Sequence, residues 1–144
     1  MISSLEVKIK MLLSVHHILL AQMGFLSAQR IYSKDSFSNE QKRYTERIAC
    51  LISGSHGLLR LITEEDAYIL ELHLIRGLKW QLVIYEYEKQ WPTETGICMR
   101  TYMNRQQQAI RKIADEVNAL SCTIDFSWLD DPLIEQLAVR SQQS

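Results

Sequence analysis

From Leu58 to Lys89 the chain passes through three short apolar runs separated by turn residues, and in two of them apolar positions alternate. Tyr68, Leu70, Leu72 and Leu74 share one parity, with Glu71 and His73 on the other. Leu78, Trp80, Leu82 and Ile84 then stand against Lys79, Gln81, Val83 and Tyr85. A period of two sends successive side chains to opposite faces of a sheet. The pattern predicts a first strand over Leu58–Thr63, a second over the middle run, and a third from Leu78 to about Glu88. Glu64-Glu65-Asp66 and Arg76-Gly77 serve as hairpin turns. Ile97 to Met103 reads as a short fourth strand. A competing reading makes Thr63 a helix N-cap with Asp66 at the third helical position, turning 64–90 into one long helix. The Leu- and Gln-rich, Val-poor composition favours it. Gly77 in mid-helix and the scatter of charge around residues 79–90 oppose it.

Helical signals flank this region. Leu5, Ile9, Leu12, His16, Leu19, Met23 and Leu26 recur at spacings of three and four, predicting a long helix from about Ser3 to Ile31. Met11, Val15, Ile18 and Phe25 widen its stripe, so this helix either crosses the whole domain or packs on a second chain. Ser38 and Gln41 form a capping box that opens a second helix, with Tyr44, Ile48, Leu51 and Ile52 buried. Ser53-Gly54-Ser55-His56-Gly57 reads as its exit. Trp91 to Gly96 is a loop, because the residue before a proline leaves helical geometry. Asn104 and Gln107 open a helix whose buried stripe is Ile110, Ile113, Ala114, Val117 and Leu120. Thr123 to Trp128 is an extended piece. Asp131 with Pro132 starts a last helix carrying Leu133, Ile134 and Leu137. The expected fold is α+β: an antiparallel three- to four-stranded meander packed by two N-terminal helices and the C-terminal helices, with an all-α fold as the alternative. Residues 1–140 form one domain, and 141–144 a frayed tail.

A length of 144 residues with 47% hydrophobic content supports a core without disulfides. A net charge of −1 argues against a domain built to neutralise a phosphate backbone. The charge is uneven. Eight basic against four acidic residues give +4 over 1–62, and eight against thirteen give −5 over 63–144. Cys50, Cys98 and Cys122 form no CxxC pair and are expected to be reduced, packed thiols, which suits a cytoplasmic location. Lys8 and Lys10 ahead of Met11–Leu20 resemble a secretion signal, but His16 and His17 interrupt its apolar segment. No apolar run is long enough to span a membrane.

No motif for bond-making chemistry emerges, and no cofactor or metal site is expected. The four histidines include no HxxxH pair, and His16 falls on the apolar stripe as a core histidine. The His56 loop has a phosphate cradle's composition without its spacing or its lysine. Cys98 has no adjacent histidine or cationic cluster to activate it. Lys42, Arg43 and Arg47 in the second helix, and Arg105, Arg111 and Lys112 in the third, are candidate nucleic-acid contacts, though acids are interleaved with both groups. Tyr85, Tyr87 and Trp91, with the acidic turn Glu64, Glu65 and Asp66, suit a protein interface. The expected function is therefore a non-catalytic protein-binding module of the immunity-factor, chaperone or inhibitor type. It would take a basic partner on an aromatic sheet face and self-associate through the first helix as a homodimer. A dimeric nucleic-acid regulator is the alternative. A third reading is a ligand sensor or small enzyme whose pocket is assembled without a linear motif.

Overall fold

Thr63 decides the architecture. Its backbone is extended, its hydroxyl accepts from the Asp66 N–H at 3.3 Å, and a helix begins at the next residue. The computed structural model describes residues 3–32, 38–92 and 98–143, and none of these is in a strand. The elements are α1 (Ser4–Ser14), α2 (His16–Tyr32), α3 (Asn39–Leu59), α4 (Glu64–Leu70), α5 (Trp80–Gln90), α6 (Met99–Leu120) and α7 (Pro132–Gln143). A π-helical turn, Glu71–Ile75, continues α4, and a 3-10 turn, Ser127–Asp130, precedes α7. The fold is all-α, and the expected α+β meander is overturned.

The misleading alternation has a physical cause. Leu70 and Leu74, four residues apart, belong to the main core, whereas Ile69 and Leu72, three apart, belong to a second apolar cluster. Each pair has helical spacing. Superposed on one helix lying between two cores, the two stripes imitate a period of two. Further along, Trp80, Val83, Ile84, Tyr87 and Trp91 all face the second cluster, at spacings of three, one, three and four. The expected hairpin turn at Arg76-Gly77 is instead a helix terminus. Gly77 takes φ +68°, the Arg76 N–H donates to the Glu71 carbonyl, and the Leu78 N–H to that of Leu72. The predicted first strand is the end of α3 and the turn after it. The predicted third strand is α5. The fourth falls on the start of α6, with Ile97 outside the described residues. Across Thr123–Trp128, Thr123 lies in a turn, Ile124 in a bend, and Ser127 and Trp128 in the 3-10 turn, so no strand forms there.

The single N-terminal helix is also divided. α1 ends at Ser14 with Val15 as its C-cap, and α2 leaves at 48° to it. Neither proline nor glycine lies there, but the Ser14 hydroxyl donates to the Lys10 carbonyl at 2.7 Å, a bond that bends helices by competing with the backbone ladder. α1 packs against α2, α3, α6, α7 and both short turns. Ile9, Leu12, Leu13, Leu19, Ile48, Leu51, Ile113 and Leu137 meet there in the main core. The second cluster, built from Ile69, Leu72, Val83, Tyr87 and Tyr102, ties α4 and α5 to the start of α6. That start is Met99, five residues before the expected cap at Asn104.

Two caps match expectation: the reciprocal Ser38–Gln41 box of α3, and Asp131 accepting from the Leu133 N–H at 2.9 Å. The expected glycine exit after residue 52 is absent, because α3 runs through Gly54 and Gly57 to Leu59. Gly54 serves packing: a methyl placed there would lie 2.3 Å from Trp128 Cη2. α7 continues through Gln143. No single helix among the described residues is long and apolar enough to cross a membrane.

Candidate functional site

A cleft of about 700 Å³ opens between α1 and α6. Val7, Lys10, Met11 and Ser14 line one side, and Arg100, Met103, Asn104 and Gln107 the other. Both sets follow the i, i+3, i+4, i+7 spacing of one helical face. Ile110 and Gln106 add to the α6 wall, His73 and Trp80 come from the α4–α5 segment, and Ala138 of α7 also borders the space.

The His73–Trp80 wall is rigid for identifiable reasons. The two rings stack with centroids 3.9 Å apart and 23° between their planes. His73 Nδ1 lies 2.7 Å from Gln106 Oε1, and Gln106 itself is buried. The amide oxygen accepts, so Nδ1 carries the proton, and the neutral ring leaves Nε2 as an acceptor. Burial pushes the imidazole below its ordinary range, the Gln106 bond opposes that shift, and the Lys10 charge adds to it. An amide rather than a carboxylate orients the ring. The Ser14 hydroxyl is committed to a backbone carbonyl.

The cleft's charges are distinctive. Among the described residues that line it, Glu6 is the one carboxylate; it accepts the Ser3 N–H at 2.8 Å and lies 3.6 Å from the Arg111 guanidinium. Chiefly the Ser3 backbone bond holds Glu6 below the usual carboxylate range. Lys10 and Arg100 have no side-chain partner among the described residues, and neither do Asn104, Gln107 or the Trp80 indole N–H.

The residues singled out from sequence do not form one surface. Tyr85 is 59% exposed, with the Lys89 ammonium 4.3 Å from its ring centroid. Tyr87 is buried, and Trp91 is half-buried and stacked on it at 5.3 Å. Two residues apart on a helix means about 200° apart, so the two tyrosines that would share one face of a strand are separated here. The aromatic sheet face does not exist. The acidic turn is the first turn of α4: Glu64 is exposed, while the Arg105 guanidinium reaches Asp66 at 3.0 Å, Glu65 at 3.8 Å and the Tyr87 hydroxyl at 2.9 Å. Among the basic candidates, Arg47 grips Asp131 through Nε at 3.0 Å and Nη2 at 2.5 Å. That pair holds the Asp131 carboxyl below its usual range. Arg105 and Arg111 are likewise in ion pairs, while Lys42, Arg43 and Lys112 are exposed.

All three cysteines are exposed, against the expectation of packed thiols. His16 is a core residue as expected, but its Nδ1 has no partner, and its ring meets that of His56 edge-on at 5.1 Å. Among the described residues no three His, Cys, Asp or Glu side chains converge as a metal site. Sequence reasoning missed Lys10, His73, Arg100, Asn104, Gln106 and Gln107 as members of one site. The available signal was a polar pair, Lys10 and Ser14, recurring one turn apart beside the apolar stripe of α1. Comparison with protein-family models, curated proteins and solved structures finds no match to this chain.

Proposed function

We propose that this protein is a non-catalytic binding module that holds a small organic molecule in the cleft between α1 and α6. The cleft itself carries this reading. Its volume falls in the usual range for small-molecule sites, and its walls are largely apolar, with a few unpartnered polar groups. A stacked and hydrogen-bonded His73–Trp80 wall needs little reordering on binding, which lowers the entropic cost of association. A ligand sensor or carrier fits this arrangement.

The test is ligand-observed NMR with a mixed small-molecule library, run on the wild-type chain and on Met103→Trp. Met103 is 47% exposed on the cleft wall, so the larger side chain fills the cleft without entering the core. Hits that disappear in Met103→Trp are expected. Hits that persist unchanged would place binding elsewhere and defeat the proposal. A second reading keeps a protein partner, on the outer face of α5, where Leu82 and Tyr85 are both exposed one turn apart.

A further inference from the structure

We propose that the cleft selects an amphipathic organic anion: a single carboxylate headgroup held by Lys10 and Arg100, with an apolar body against Met11, Met103 and Trp80. This rests on the cleft being a ligand site and specifies what enters it.

The hydrogen-bonding inventory gives the sign. Lys10 brings three donors and no acceptor, Arg100 five donors and no acceptor, and the Trp80 indole one donor. Asn104 and Gln107 supply both kinds, and His73 Nε2 adds one acceptor. The acceptor that would draw a cation, the Glu6 carboxylate, is already occupied by the Ser3 N–H and faced by Arg111. A ligand entering this space therefore meets two uncompensated positive charges and an excess of N–H groups. A cationic ligand would be repelled, and a neutral alcohol would leave most donors without a better partner than water.

Geometry sharpens the class. Arg100 lies in the first turn of α6, a 22-residue helix whose N-terminal end adds partial positive charge on the same side of the cleft. A guanidinium matches a carboxylate in planar two-bond fashion, while an ammonium supplies a point charge. The remaining lining is thioether, aliphatic and indole surface, which makes no directional demand and rewards apolar area at about 25 cal/mol per Å². Methionines on two facing helices suit a flexible or irregular body, because an unbranched thioether repacks easily. The site thus combines one charged anchor with an adaptable apolar wall.

Calorimetric titration with decanoate, decanol, decylamine and acetate, each monomeric in solution, tests the charge and the body separately. Decanoate is expected to bind at least tenfold more tightly than decanol, with decylamine and acetate weaker still. Lys10→Ala and Arg100→Ala are each expected to weaken decanoate about five- to fiftyfold and to leave decanol within twofold. Both side chains lie at the surface outside either core cluster, so neither variant threatens folding. Decanol or decylamine matching decanoate, or a Lys10→Ala/Arg100→Ala double variant that keeps decanoate affinity, overturns the anion assignment. Acetate matching decanoate overturns the apolar body. If all four ligands bind Met103→Trp as they bind wild type, it is the cleft that fails as a binding site.

Discussion

Two glycines one turn apart in α3 should respond to the same substitution with opposite sign. Alanine in place of glycine inside a helix gains about 1 kcal/mol from backbone entropy and solvent exposure. At Gly57 nothing lies within 4 Å of the new methyl, so that gain is realised, reduced somewhat by its place near the helix end. We expect Gly57→Ala to stabilise the protein by about 0.5–1 kcal/mol. At Gly54 the methyl would sit 2.3 Å from Trp128 Cη2, 2.4 Å from Cζ3 and 2.7 Å from Cζ2. Three ring atoms cannot be cleared by a small side-chain rotation. Swinging the indole out would cost its packing against the main core and against Phe126, whose ring centroid lies 6.3 Å away. Overpacking of this kind costs roughly 1–3 kcal/mol or more, which exceeds the propensity gain. Gly54→Ala is therefore expected to lose about 1–2 kcal/mol net, or roughly 3–6 °C in Tm at this chain length. Thermal melts followed by circular dichroism, with urea midpoints in parallel, read both variants. Trp128→Leu in the Gly54→Ala background should recover part of the loss, with a coupling above about 0.5 kcal/mol. A Gly54→Ala protein that melts at or above wild type, or a double variant with no coupling, refutes the reasoning.

Acid should destabilise the fold before its carboxylates titrate. Burial, and then the neighbouring His56, pushes His16 below its ordinary range, and burial does the same to His73. Above about pH 6.5 both rings are neutral folded or unfolded; below it the unfolded chain takes up protons first. Stability is thus full above pH 6.5 and falls as pH drops towards the folded-state values, and a urea midpoint unchanged between pH 7 and pH 5 would contradict this. The helical placement of α5 predicts unequal tyrosines. Tyr87→Ala, at a 2% exposed position, should cost about 3–4 kcal/mol, whereas Tyr85→Ala should stay within about 0.5 kcal/mol. Equal losses in equilibrium unfolding would mean the two share a face.

What the sequence disclosed most directly was local chemistry. Ser38 with Gln41, Asp131 with Pro132, and the stripe Ile110, Ile113, Ala114 and Val117 each involve residues within one helical turn or one helix face, and each is where expected. Thr63 with Asp66 was equally local, but the tertiary placement of the helix it starts disguised it. A helix buried on two sides carries two apolar stripes, and Ile69, Leu70, Leu72 and Leu74 summed to an alternation that neither stripe has alone. Gly77 was weighed as a flaw in a continuous helix, yet its left-handed backbone lets one helix stop and another begin. The cleft was not legible at all. Its groups come from α1, α6 and the α4–α5 segment, and Lys10, His73 and Arg100 are ordinary residues until packing sets them around one space. Tyr87 shows the converse, an aromatic read as surface that the helical period turns inward.

The π-helical turn makes the site depend on how many residues separate Thr63 from Gly77 as well as on His73 within that interval. The Arg76 N–H reaches back five positions to the Glu71 carbonyl, so the ladder here closes over one residue more than an α-helix allows. Deleting Glu71 or Leu72 would restore the shorter closure and turn the downstream chain by about a hundred degrees, carrying His73 away from Gln106, whereas deleting Leu74 or Ile75 would carry Trp80 away from the imidazole. Substitution within the turn leaves that phase untouched. In an alignment of related chains, the mark of this cleft would be a conserved interval between a capping threonine and a left-handed glycine, and a gap inside it would report the loss of the site as surely as a change at His73.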